Sequence, residues 1–122
     1  RIDPKGRWIY YLYPGRPGIW RRALNSGDGR LTGPEERIVV DFAPPDWMNW
    51  AVTDKAVYYA ARPTGLGSGR IRRLDLATGS TTDIADAAPV HRQSSFAVDA
   101  RGALILPIRA IDVDLFGMEF NT

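Results

Sequence analysis

Cysteine is absent from this chain of 122 residues, and histidine occurs once, at His91. Without thiols there are no disulfide staples and no thiol nucleophile, and one imidazole leaves the usual transition-metal sites nearly excluded. Lysine is scarce, two residues against 14 arginines, a ratio that reflects codon composition rather than recognition. No run of five or more basic residues exists; Arg21-Arg22 and Arg72-Arg73 are the only adjacent pairs. A net charge of +2 is then too small to argue for nucleic acid, even with a pI near 9.2, and the paired arginines read as solvated strand faces. No stretch approaches the about 18 uninterrupted apolar residues of a membrane span. A leader pattern is also lacking, but the chain opens at Arg1, so that absence is silent about location. Cytoplasm and periplasm both fit.

What is present is repetition. Ile2-Asp3-Pro4-Lys5-Gly6-Arg7-Trp8-Ile9-Tyr10-Tyr11, then Thr53-Asp54 followed by Val57-Tyr58-Tyr59, then Val98-Asp99-Ala100-Arg101-Gly102-Ala103-Leu104-Ile105-Leu106 are spelled alike, and Tyr11, Tyr59 and Pro107 follow at a constant step of 48 residues. A period of about 40–50 residues with short apolar runs between Gly, Pro and Asp turns is that of a β-propeller, one four-stranded blade per repeat. The runs 8–13, 57–61 and 104–108 are continuous rather than alternating, as strands covered on both faces are, and each is stopped too early for a helix by Pro14-Gly15, Pro63 with Gly65, or Pro107. Second strands are expected over 19–24, 71–76 and 113–119, outer strands over 37–41 and 80–84, and inner strands over 47–53 and 93–98.

The predicted architecture is all-β: an incomplete β-propeller fragment of about two and a half four-stranded antiparallel blades. Residues 1–46 form a blade lacking most of its inner strand, 47–90 a complete blade, and 91–122 a blade lacking its outer strand. Incomplete blades expose unpaired N–H and C=O groups, so edge pairing or strand swapping with another copy is expected.

The unit Asp3-Pro4-Lys5-Gly6-Arg7-Trp8-Ile9-Tyr10-Tyr11 through Ile19-Trp20-Arg21-Arg22-Ala23-Leu24-Asn25-Ser26-Gly27 resembles the WD40-like (PD40) repeat of TolB-type propellers, with Asp3-Pro4-Lys5-Gly6 departing from that family's Pro-Asp-Gly order. More narrowly, Asn49-Trp50-Ala51-Val52-Thr53-Asp54 with Val57-Tyr58-Tyr59, Ile71 to Gly79, and Val113 to Phe120 resemble the final blades of propellers fused to CadC-type winged-helix transcriptional regulators. The resemblance implies a sensing or protein-interaction module at the C-terminus of a bacterial regulator, periplasmic if membrane-anchored and otherwise cytoplasmic, with the DNA-binding part elsewhere. Two alternatives stay open: a TolB-like periplasmic scaffold, or the non-catalytic propeller of a prolyl-oligopeptidase-type peptidase.

No residue set reads as catalytic, and no cofactor or metal is expected. Gly65-Leu66-Gly67-Ser68-Gly69 runs from strand to strand, so its amides do not converge on a phosphate at a helix start, and Leu66 breaks the nucleophile-elbow register. His91 has Ser94 and Ser95 merely nearby in sequence; it reads as a loop histidine, or as a ligand contact at the mouth of the axial channel. Asp112 and Asp114 share a strand face, yet two carboxylates do not fill a calcium sphere, and Asn25-Ser26-Gly27-Asp28-Gly29 lacks the terminal bidentate Glu of an EF-hand. Asp3, Asp54 and Asp99 are expected to bond backbone amides at turns. Trp47, Trp50, Tyr58 and Tyr59 form the densest aromatic group, explained equally by packing between blades or by an anchoring surface for a protein or small-molecule ligand. The candidate interaction surface is Pro45, Trp47, Trp50 and His91, centred on the loop Pro44-Pro45-Asp46-Trp47, where a large ring stands among turn residues.

Overall fold

A computed structural model describes residues 1–25, 27–43, 47–62, 69–90, 94–108 and 119–120. Among them the chain is all-β, without a helix, and folds as three small antiparallel sheets that do not close into a ring. The first sheet has the order β1-β2-β3, from Trp8–Tyr13, Arg16–Leu24 and Leu31–Val39. The second is a four-stranded meander, β4-β5-β6-β7, from Trp50–Val52, Ala56–Ala61, Arg70–Asp75 and Thr81–Asp86. The third joins β8 (Ala97–Val98), β9 (Leu104–Ile105) and β10 (Glu119–Phe120) in the order β10-β9-β8. No helix among the described residues is long and apolar enough to cross a membrane.

Turn chemistry sets these boundaries. Asp3 and Asp99 act alike: the Oδ1 of Asp3 accepts from the amides of Arg7 (2.6 Å) and Trp8 (3.2 Å), and that of Asp99 from Arg101 and Ala103 (both 2.9 Å). Each turn closes on a glycine at positive φ, Gly6 at 66° and Gly102 at 86°, a conformation only glycine adopts cheaply. Asp54 does not take this part. The hydroxyl of Thr53 accepts from Lys55 (3.1 Å) and Ala56 (2.9 Å), because this turn is shorter and its first residue, not its second, faces the amides. Asp54 instead pairs with Lys5 at 3.8 Å. A second repeated turn follows β2 and β6: Asn25 receives the Gly27 amide and Asp75 those of Ala77 and Thr78, while Gly29 and Gly79 each donate back to the first residue's carbonyl at 2.8 Å.

The sheets stack face to face, and β5 shows how. All six of its residues are buried. Val57, Tyr59 and Ala61 join Tyr10, Ile19, Val39, Phe42, Trp50 and Leu74 in a core between the first and second sheets, whereas Ala56, Tyr58 and Ala60 join Ile71, Val90, Phe96, Leu104 and Leu106 in a core between the second and third. Strand alternation sends neighbours to opposite faces, so the unbroken apolar run is the mark of a sheet covered twice. Each fully buried large side chain contributes about 1.5–3 kcal/mol.

Several strand limits differ from expectation. The inner strands are shorter: β4 is Trp50–Val52 and β8 is Ala97–Val98. At β4 the cause is local, since the amide of Trp50 turns back to the Met48 carbonyl (3.1 Å) and the Asn49 side chain reaches across to the Ser94 carbonyl (2.9 Å). β9 is likewise limited to Leu104–Ile105, with Ile108 bridged to Val90. β3 is longer than the expected 37–41, because β2 templates it back to Leu31 across two register shifts. Its outer edge carries Pro34, Glu35 and Glu36, and that of β7 carries Asp83 and Asp86, residues that blunt strand addition. Beside β1, Ile2 bridges to Ile9 in the lane that β4 occupies beside β5. Residues 65–68, 112 and 114, and the expected strand from 113 to 118, lie outside the described residues.

Candidate interaction surface

The tip of the β1–β2 hairpin builds the site. Pro14 and Gly15 form its two-residue loop, proline fixing one φ and Gly15 supplying the other at 75°, so Tyr13 and Arg16 face each other in register. The Arg16 guanidinium lies 4.5 Å from the Tyr13 ring and 5.0 Å from that of Trp20; Arg37 lies 5.3 Å from Trp20. Tyr13 meets Trp20 edge to face at 5.0 Å. Ile19 points to the second sheet, so Trp20 points away from it, yet Trp20 is only 4% exposed because the guanidiniums and Tyr13 cover it. Gly18 makes room: a Cβ there would stand 2.6 Å from the Val39 carbonyl oxygen and 2.7 Å from Arg37 Nε, at a φ of 122°.

Beside this tip lies a mainly apolar cleft of about 280 Å³, lined by Leu12, Tyr13, Pro14, Arg16, Gly18, Phe42 and Trp47. Phe42 is its buried floor, packed edge-on against Tyr59, and its carbonyl accepts the Gly18 amide at 2.8 Å. Trp47 forms a wall and is 60% exposed. Its carbonyl accepts the indole N–H of Trp50 at 2.9 Å, which ties the exposed ring's backbone to a buried one.

The predicted surface residues therefore separate. Trp47 is presented to solvent. Trp50 is not: it is 4% exposed in the core between the first two sheets, with the Arg1 guanidinium 4.7 Å from its ring, since its place on β4 opposite Tyr59 turns it inward. Tyr58 and Tyr59 are core residues too, on opposite faces of β5. Pro45 and His91 lie outside the described residues. Sequence reading missed Tyr13, Arg16, Gly18 and Phe42. The signal was there in Tyr13-Pro14-Gly15-Arg16, whose two-residue hairpin loop sets an aromatic directly opposite a cation.

Charge around the tip is ordered. The Tyr11 and Tyr13 hydroxyls both donate to the Glu35 carboxylate, at 2.6 Å from Tyr11. Those two bonds hold Glu35 below the usual carboxylate range. Tyr11 is pushed up by desolvation and then by Glu35, and Tyr13 chiefly by its bond to Glu35. In the second sheet burial, then the charge of Asp41, pushes Tyr59 up to about 12. Both arginine pairs find partners within the fold: Arg21 bonds Glu36 (3.0 Å) and lies over Trp8, Arg22 donates to the Gly33 carbonyl, Arg72 bonds Asp41 (2.6 Å) and Asp83 (2.9 Å), and Arg73 reaches Asp75 (3.4 Å). Tyr10 faces Arg21 and Tyr58 faces Arg73 in the same cross-strand register, a repeated pair in consecutive sheets. Among the described residues no three His, Cys, Asp or Glu side chains gather as metal ligands would.

No family model matches the chain, and neither a curated protein nor a solved structure matches it.

Proposed function

We propose that this chain is a non-enzymatic interaction module of propeller-type blades, belonging to a bacterial regulator, and that it meets a protein partner through the cleft beside Trp47. The blade reading is supported by three successive antiparallel sheets, a central one covered on both faces, and the same Tyr–Arg pair and Asx turn recurring from the first sheet to the second. The interaction reading rests on one observation: a tryptophan 60% exposed at the edge of an apolar cleft, whereas the other described aromatic rings with an assigned burial are buried or half-buried. Aromatic anchors of this kind dominate interface energetics because they desolvate a large area with few rotatable bonds. Pairing with another copy belongs to the same reading and falls to the inner lanes, the outer edges of β3 and β7 being blunted by Pro34 and by acidic residues.

Selection of a displayed random-peptide library on the whole chain, with the Trp47→Ala variant as counter-target, tests the interaction reading. Binders lost with Trp47→Ala are expected. A library that yields no binder, or only binders indifferent to Trp47, removes it.

A further inference from the structure

The rim of the Trp47 cleft carries a cation whose donors are open. Arg37 donates to the carbonyls of Pro17 (2.6 Å) and Val40 (3.3 Å), whereas the Arg16 guanidinium, which lines the cleft, lies over the Tyr13 and Trp20 rings and donates no hydrogen bond among the described residues. Among the described residues no carboxylate stands within salt-bridge distance of either arginine. Glu35, the acid that shares this face, feels the charge of Arg16 but is hydrogen-bonded by the hydroxyls of Tyr11 and Tyr13. A guanidinium offers five N–H donors in a fork that matches a carboxylate, and stacking on two rings holds this one in place. The cleft is open and, at about 280 Å³, smaller than the roughly 300–1,000 Å³ of sites that enclose whole small molecules. It holds one large side chain.

Resting on the interaction reading above, we propose that the cleft takes an extended peptide segment of a protein partner in which an apolar or aromatic side chain stands next to Asp or Glu. The side chain fills the space between Leu12, Phe42 and Trp47, and the neighbouring carboxylate reaches Arg16. Apolar floor and cationic rim together select this pairing over an apolar residue alone, because the charge-assisted bond forms only when the acid is adjacent.

The test is an NMR titration of the whole chain, following the indole N–H of Trp47 as acetyl-Gly-Phe-Asp-Gly-amide is added. Two twin peptides carry Asn for Asp or Ala for Phe. At low salt the Asp peptide is expected to bind about tenfold tighter than the Asn peptide, a gap that narrows at high salt. Arg16→Gln should close the gap; Arg16→Lys, which keeps the charge, should retain much of it and guards against a loss of folding being read as a loss of binding. Equal affinity for the Asp and Asn peptides, a gap unchanged in Arg16→Gln, or no shift up to about 10 mM peptide overturns the proposal. So does sodium phenylacetate that binds as well as the peptide, which would assign the cleft to free small acids. Library binders that depend on Trp47 but ignore charge would leave the interaction reading standing and remove this inference alone.

Discussion

Two tryptophans three residues apart offer the sharpest check on how surface and core divide. Trp50 is 4% exposed in the first inter-sheet core, opposite Tyr59, with its indole N–H on the Trp47 carbonyl and the Arg1 guanidinium near its ring. Replacing it with alanine opens a cavity and forfeits the ring's transfer energy, about 3–5 kcal/mol, with about 1 kcal/mol more from the lost hydrogen bond. Against a total stability of about 5–15 kcal/mol that is a large share, and it lowers the melting temperature by roughly 15–25 °C. Trp47 is 60% exposed, and the hydrogen bond it makes among the described residues runs through its backbone carbonyl, which alanine keeps, so Trp47→Ala should cost about 1 kcal/mol. Differential scanning calorimetry and near-ultraviolet circular dichroism of both variants read the contrast. Equal losses from the two substitutions would refute the reasoning, since Trp47 would then be a structural ring and the cleft beside it an accident of packing.

Other consequences follow from the buried polar groups and the turns. Arg62, 8% exposed, donates to the Asn49 side chain (3.0 Å) and to the carbonyls of Ala87 (3.1 Å) and Val90 (3.3 Å), so Arg62→Met should cost about 3–5 kcal/mol by urea denaturation; an unchanged midpoint would show these acceptors rehydrate freely. Gly18→Ala forces a side chain into φ 122° against the Val39 carbonyl and should cost about 2 kcal/mol or more, disturbing the cover over Trp20; a neutral outcome would mean the hairpin shifts without penalty. Backbone amides hold Asp75 and Asp99 below their usual range, and Tyr11 and Tyr13 do so for Glu35. A depressed folded value means stability that is present above the unfolded pKa of about 4 and lost as pH falls through the folded values. Acid melts of Asp99→Asn, which keeps the Oδ1 acceptor without titrating, should therefore show a shallower loss below about pH 4 than the parent; identical acid limbs would exclude Asp99.

The all-β character was legible because each apolar run is short, aromatic or β-branched, and stopped by a glycine or proline. β5 shows this best: six consecutive apolar residues. The turn at Asp3 was legible too, since Asp before a glycine has few other uses. The turn at Thr53 was not, because a hydroxyl and a carboxylate in adjacent positions both suit an amide, and the choice depends on which residue the backbone aims inward. β3 was half hidden. Thr32, Gly33, Pro34, Glu35 and Glu36 carry no strand pattern of their own and are extended by pairing with β2. Trp47 stood out in the sequence as a large ring among turn residues, but the burial of Trp50 was hidden; it was decided by Trp50's register against Tyr59, a pairing between β4 and β5 that only the fold supplies.

The double coverage of β5 makes that strand a wall shared by two rooms. A lesion at Tyr59 empties one room and a lesion at Tyr58 the other, so neighbouring substitutions on one strand should loosen opposite ends of the protein. Stability here is passed from sheet to sheet by contact between neighbours, with β5 as the relay.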